Sequence, residues 1–269
     1  MRIQHTILTI VIMGAVGMTV SADPEARASK LEPPPLQKAG VVFTFDDAFV
    51  SQWLAAMPVF ARHGARATFF VTSFDRLRPE QLTGLRTLRA AGHAIGCHGL
   101  RHRVAVKTVK ESSLEKYLEV EIEPALKVMR EAGFVPTSFA YPCSSHTAAI
   151  DQALAPHFRH LRTGTGPKAG HSLAQTNAIF TPLEKVKGRH CLVGVGIDYA
   201  GDQDWQARSL ATIFGALDRA SKRGEIVVFY AHNISEDGPG HHIRLNALDA
   251  ILAHAATAGL AFYTYDDLP

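Results

Sequence analysis

From Val41 onward, short apolar runs alternate with longer stretches of helical period. The runs Val41–Phe45, Ala67–Thr72, Ala94–Gly96, Ser138–Pro142, Leu192–Ile197, Ile226–Ala231 and Leu260–Thr264 predict strands, several continuous enough to be buried on both faces. Between them, Gln52–His63, Glu80–Ala91, Leu114–Ala132, Gln206–Arg223 and Arg244–Ala258 carry apolar residues at helical spacing. Gly64, Gly92, Gly133, Gly224 and Gly259 follow the last helical residue of several of these units, where a left-handed residue ends a helix. Repeated βα units predict an α/β fold, and a parallel (β/α) barrel of about seven strands is its natural closure. Side chains at the C-terminal strand ends of such a barrel share one mouth.

The N-terminal residues break this pattern. Met1-Arg2-Ile3-Gln4-His5, an uncharged and mostly apolar stretch from Thr6 to Val20, and Ser21-Ala22 before Asp23 form a basic n-region, an h-region of about 15 residues and a small-x-small cleavage site. Residues 1–22 therefore read as an export signal, too short to span a bilayer comfortably. The mature protein is expected to be secreted or periplasmic, with no membrane association after cleavage. Residues 23–40, which include Pro33-Pro34-Pro35, read as an extended tether. Residues 41–269 remain as one domain, since roughly 230 residues suit a single α/β barrel.

Net charge is +3, from 28 Lys and Arg against 25 Asp and Glu, and the basic residues are scattered rather than striped. Nothing there supports a nucleic-acid partner. Cys97, Cys143 and Cys191 leave an odd thiol for an oxidising compartment, so at most one internal bridge can form. A Cys97–Cys143 pair is conceivable; buried free thiols are the commoner outcome.

The candidate chemistry gathers at strand ends. Asp46 and Asp47 leave the run Val41–Phe45 side by side, and two adjacent carboxylates cannot both be buried without partners. His98 and His102, an HxxxH pair, follow the run Ala94–Gly96. A divalent cation held by one carboxylate and two imidazoles would offset the charge and leave the other carboxylate free as a base. Either half alone has a bland explanation, a helix cap or a surface accident; the two together point to a metal hydrolase site.

These residues also carry a family resemblance. Thr44-Phe45-Asp46-Asp47, then Gly92-His93-Ala94-Ile95-Gly96-Cys97-His98-Gly99-Leu100-Arg101-His102, then Phe139-Ala140-Tyr141-Pro142-Cys143, then Asp204-Trp205, then Tyr230-Ala231-His232 resemble the ordered motifs of the polysaccharide deacetylases, the NodB-homology family of carbohydrate esterases. The resemblance implies a distorted (β/α) barrel and hydrolysis of N-acetyl or O-acetyl groups on a polysaccharide or oligosaccharide, N-acetyl being favoured. It implies one zinc-type divalent metal, with cobalt or nickel as alternatives, held by Asp47, His98 and His102. Asp46 would be the general base and His232 the general acid. The backbone N–H of Cys143 would face the oxyanion, Tyr141 and Trp205 would line the substrate pocket, and Asp204 would support the acid histidine, with Asp198 and Asp202 competing for that role.

The chain departs from the family pattern in one functional position. The Arg that usually stands a few residues before the Pro and buttresses the base is replaced by Ser138-Phe139-Ala140, so the partner of Asp46 is unidentified. This gap is the one feature favouring a non-catalytic glycan-binding barrel; hydrolysis of a different small amide is a further alternative. An iron oxygenase triad built from the same His, His and Asp leaves Asp46 and His232 without work. The stretch Arg162–Gly188, rich in Gly, Thr, Ser and Lys, is the best candidate for a specificity loop. Which glycan is bound, and the oligomeric state, stay open.

Overall fold

Period-two alternation in the first strand organises the molecule. The computed structural model describes residues 33, 35–198, 209–237 and 240–269. In it β1 spans Gly40–Asp47, and alternate side chains face opposite ways. Val41, Phe43 and Phe45 join Trp53, Phe60 and Phe69 in the core between strands and helices, while Val42 joins Phe70, Ala140, Leu192 and Val228 inside the barrel. Asp46 continues the inward row.

The remaining strands are β2 (Ala67–Val71), β3 (Ala94–Cys97), β4 (Ser138–Ala140), β5 (His160–Gly164), β6 (Phe180–Pro182), β7 (Cys191–Gly196), β8 (Glu225–Ala231), β9 (Asn233–Ile234), β10 (His242–Ile243) and β11 (Ala261–Phe262). Parallel pairing runs β1-β2-β3-β4-β5-β7-β8. It closes where β8 returns to β1, from Gly40 against Ile226 to Phe45 against Ala231. The result is a closed seven-stranded parallel barrel with helices outside, as expected. Tyr265 and Leu268 fill its N-terminal end, with the Tyr265 N–H donating to Thr68 Oγ1 at 2.8 Å.

The count of seven holds, but its membership differs from the sequence expectation. Leu260–Thr264 is reduced to β11, which pairs only with Gly40 and Val41 at the start of β1 and stands outside the ring. The missing member is β5, which reads as polar because it places His160 and Arg162 in the buried interior. Arg162–Gly188 is accordingly not one loop: its first residues are strand, and two 3-10 turns, β6 and a short helix at Leu183–Val186 follow.

Among the helices, Gln52–His63 is divided at Ala56 into Val50–Ala55 and Met57–Arg62; Pro58 sits in the first turn of the second piece, where it lacks only an N–H that needs no intrahelical partner. Leu114–Ala132 is helical but passes through a π turn at Leu118–Ile122. Helices at Ala105–Glu111 and Ala148–Leu154 were not expected. Residues 1–22 and most of 23–40 lie outside the described residues. Among those described, no helix is long and apolar enough to cross a membrane.

Candidate active site

The barrel's C-terminal strand ends surround a cavity of about 460 Å³ whose lining includes Asp46, Asp47, His98, His102, Arg162 and His232. Each is delivered by a different backbone device. Asp46 stays in regular strand and points inward. Asp47 adopts φ 81°, a left-handed conformation that costs a non-glycine residue energy and is kept where surrounding structure fixes it. Its carbonyl accepts the Thr72 N–H at 3.1 Å, so the turn is held while the carboxylate faces the mouth. His98 continues β3, its N–H donating to Val71 O at 2.9 Å. His102 has φ 55°, four residues on in the following loop.

Asp47, His98 and His102 can each direct one donor atom to a common centre, those atoms lying within 4.8 Å of one another. Asp47 Oδ1 is 3.8 Å from His98 Nε2 and 3.7 Å from His102 Nε2. His98 Nδ1–H donates to Ala140 O at 2.8 Å, which leaves the Nε2 lone pair free. Burial, the Arg162 charge and His102 hold the His98 imidazole well below its usual titration range, so it is a neutral nitrogen donor. An oxygen and two imidazole nitrogens suit a zinc-type ion with coordination positions left open.

Asp46 has the partner that its motif lacked. Arg162, fully buried on β5, donates through Nη2 to Asp46 Oδ2. The guanidinium lies 4.6 Å from the Tyr230 ring centre and 5.6 Å from that of Phe70, a favourable stacking of cation on aromatic faces. Tyr230, in the last of the motifs, thereby covers the buttressing cation. Gly164 makes room for it, since a Cβ there would approach Tyr230 within 2.9 Å and Ser144 Oγ within 2.5 Å. Asp46 Oδ1 is buried with no partner among the described residues.

Opposite, His232 Nδ1 lies 2.7 Å from Asp198 Oδ2, and the His232 N–H donates to Asp198 Oδ1 at 3.0 Å. Burial alone would lower the His232 pKa; the hydrogen bond and charge of Asp198, with the charges of Asp46 and Asp47, outweigh it and raise the pKa above its ordinary value. Trp53 Nε1–H donates to His232 O at 2.9 Å and fixes the backbone. The support expected of Asp204 comes from Asp198; Asp204, Trp205 and Asp202 lie outside the described residues. Tyr141 lines the cavity wall and donates its hydroxyl to Asp151 Oδ1 at 2.7 Å. Cys143 is exposed with φ 53° in a turn of 3-10 type. All three thiols are free, and Cys97 and Cys143 do not pair.

Sequence reasoning missed Arg162 and undervalued Asp198. The one signal for Arg162 was an arginine between Leu161 and the β-branched Thr163 in the short run His160-Leu161-Arg162-Thr163, and nothing in its distance from Asp46 along the chain marked the pair.

Residues 34–157 match the family model described as polysaccharide deacetylase; this span holds both aspartates, His98 and His102, and the Tyr141-Pro142-Cys143 motif, while Arg162, Asp198 and His232 lie beyond it. Among curated proteins, none matches the sequence. Solved structures share the fold. A family 4 carbohydrate esterase from Streptomyces lividans in complex with acetate is 18% identical over 83% of this chain and 91% of its own, with a TM-score of 0.51. The catalytic domain of a peptidoglycan N-acetylglucosamine deacetylase from Eubacterium rectale is 18% identical over 90% and 94%, with a TM-score of 0.51. A CE4 family pseudoenzyme from Bacillus anthracis is 16% identical over 88% and 69%, with a TM-score of 0.52. At such identities the likeness speaks for the barrel, and function rests on the side chains.

Proposed function

Starting from the polysaccharide deacetylase family, which the motifs and the match over residues 34–157 both identify, we propose that this protein is an exported, metal-dependent hydrolase. It removes acetyl groups, N-acetyl in preference to O-acetyl, from a glycan. One observation carries the reading. Asp46 is buried with one oxygen held by Arg162 and the other bare, beside a cluster of one carboxylate and two imidazoles that share a focus.

Asp47 and the Nε2 atoms of His98 and His102 would hold the cation. When bound, such an ion lowers the pKa of a coordinated water from about 15.7 toward 7 and polarises a carbonyl. Asp46 takes the proton of the attacking water through Oδ1, and Arg162, holding Oδ2, keeps the carboxylate aimed. The Cys143 N–H, at the cavity wall, would stabilise the developing oxyanion. His232, whose pKa Asp198 raises, gives its proton to the departing amine through Nε2. This last step favours amides, because an amine leaves poorly unprotonated. Export is supported by the charge and apolar pattern of residues 1–22.

A binding-only barrel has lost its support, because Arg162 supplies the buttress from another strand. Acetate release from acetylated chito-oligosaccharides, with zinc or cobalt added to the purified protein, tests the reading. Release that depends on added metal and stops with chelator is expected; no release from any acetylated glycan, with one metal ion bound, would leave the barrel a binder.

A further inference from the structure

We infer that Glu121 is a positioning residue for the metal site, holding residues 99–103 in the shape that presents His102 before any cation binds; this rests on the assignment of His102 as a ligand. Glu121 is fully buried in the π turn Leu118–Ile122, a rare local winding often found at functional sites. Its carboxylate serves the amides on both sides of His102. The Arg101 N–H donates to Oε1 and Oε2 at 3.0 Å each, and the Arg103 N–H donates to Oε1 at 2.9 Å. The Glu121 carbonyl also accepts the Leu100 N–H at 3.1 Å. The nearest guanidinium nitrogen, Arg103 Nε, stands 3.8 Å from Oε2.

A buried carboxylate is costly, and backbone N–H donors are what stabilise this one. The exchange is mutual: these bonds hold His102 at φ 55°, a conformation that a non-glycine residue adopts only under constraint. The loop is built around the carboxylate at its other end too. Gly99 has φ 79°, and a Cβ there would lie 2.4 Å from Glu121 Oε1; Thr72 Oγ1–H donates to Gly99 O at 3.0 Å. Both oxygens of Glu121 face loop amides, so it holds a ligand rather than being one.

The test pairs Glu121→Gln with His102→Ala and reads zinc dissociation constants by chelator competition, together with the visible spectrum of the cobalt-loaded protein. In Glu121→Gln an amide NH₂ faces the Arg101 N–H, donor against donor. Zinc should bind roughly 10- to 100-fold more weakly, the range for losing a partner that orients a ligand, and the cobalt bands should shift. Zinc affinity within twofold of wild type and an unchanged spectrum, while His102→Ala loses the metal, would overturn this inference and leave the ligand assignment standing. Metal retained by His102→Ala would instead remove the ligand assignment. A measurement on the unmodified protein serves if the variant does not fold: the Arg101 and Arg103 amides should resist hydrogen exchange in the metal-free protein. Protection that appears only on adding zinc would show that the cation, not Glu121, shapes the loop.

Discussion

Asp46 and Asp47 are neighbours with opposite surroundings. Asp46 is buried against Arg162, whereas Asp47 turns out at φ 81° toward two imidazoles. Asp46→Asn should keep its metal and lose roughly 100-fold or more in turnover, the order associated with a general base. Asp47→Asn should lose the metal. Elemental analysis beside acetate release decides, and the opposite pattern would swap the roles. His232 separates substrates rather than ligands. His232→Ala should lose most amide hydrolysis and keep a larger share on an aryl acetate, whose phenolate leaves without a proton. Because Asp198 raises the His232 pKa, the acid form persists to higher pH. Asp198→Asn should therefore move the alkaline limb of kcat/KM for an amide to lower pH. An unmoved limb would assign that limb to another group.

The strands place these residues, and their readability depended on what each strand buries. β1, β2 and β8 bury apolar or aromatic side chains almost throughout, so their pattern is visible in sequence. β5 instead faces the interior with Arg162, neutralised by Asp46 on a strand 116 residues earlier, and no local window reveals such a pairing. The helix layer hides a second buried titrating group. His93 packs edge-on to Phe60 and Phe69, and its Nδ1 accepts the Ala67 N–H at 3.1 Å. Burial and then Arg66 push its pKa down to about 4 from 6.5. A base whose pKa falls on folding stabilises above its unfolded value, and that contribution is lost as pH drops toward the folded value. Stability should thus fall between pH 6.5 and about 4. His93→Asn, which keeps an acceptor without titrating, should flatten the slope by up to about 1.4 kcal/mol per pH unit. Denaturant midpoints across that window for the two proteins check it; identical slopes would remove His93 as the cause.

At the scale of the whole molecule, the proposed cation site lies at the mouth of the closed sheet. An ion that binds only the folded barrel stabilises it by about 2.7 kcal/mol at 100 times its Kd. Chelator should therefore lower the thermal midpoint by several degrees, while His98→Ala should show the lower midpoint with or without chelator. Equal response in both proteins would locate the stabilising ion elsewhere. The sequence alone determined the alternation of strands and helices, and it placed Asp46, Asp47, His98, His102 and His232 at strand ends, because periodicity and motif order are local properties. Only the tertiary structure decided which strand completes the barrel, which arginine answers Asp46 and which carboxylate holds His232. Those choices join residues distant in the chain through buried charges. A charge buried with its partner is stable only once the barrel has closed around both.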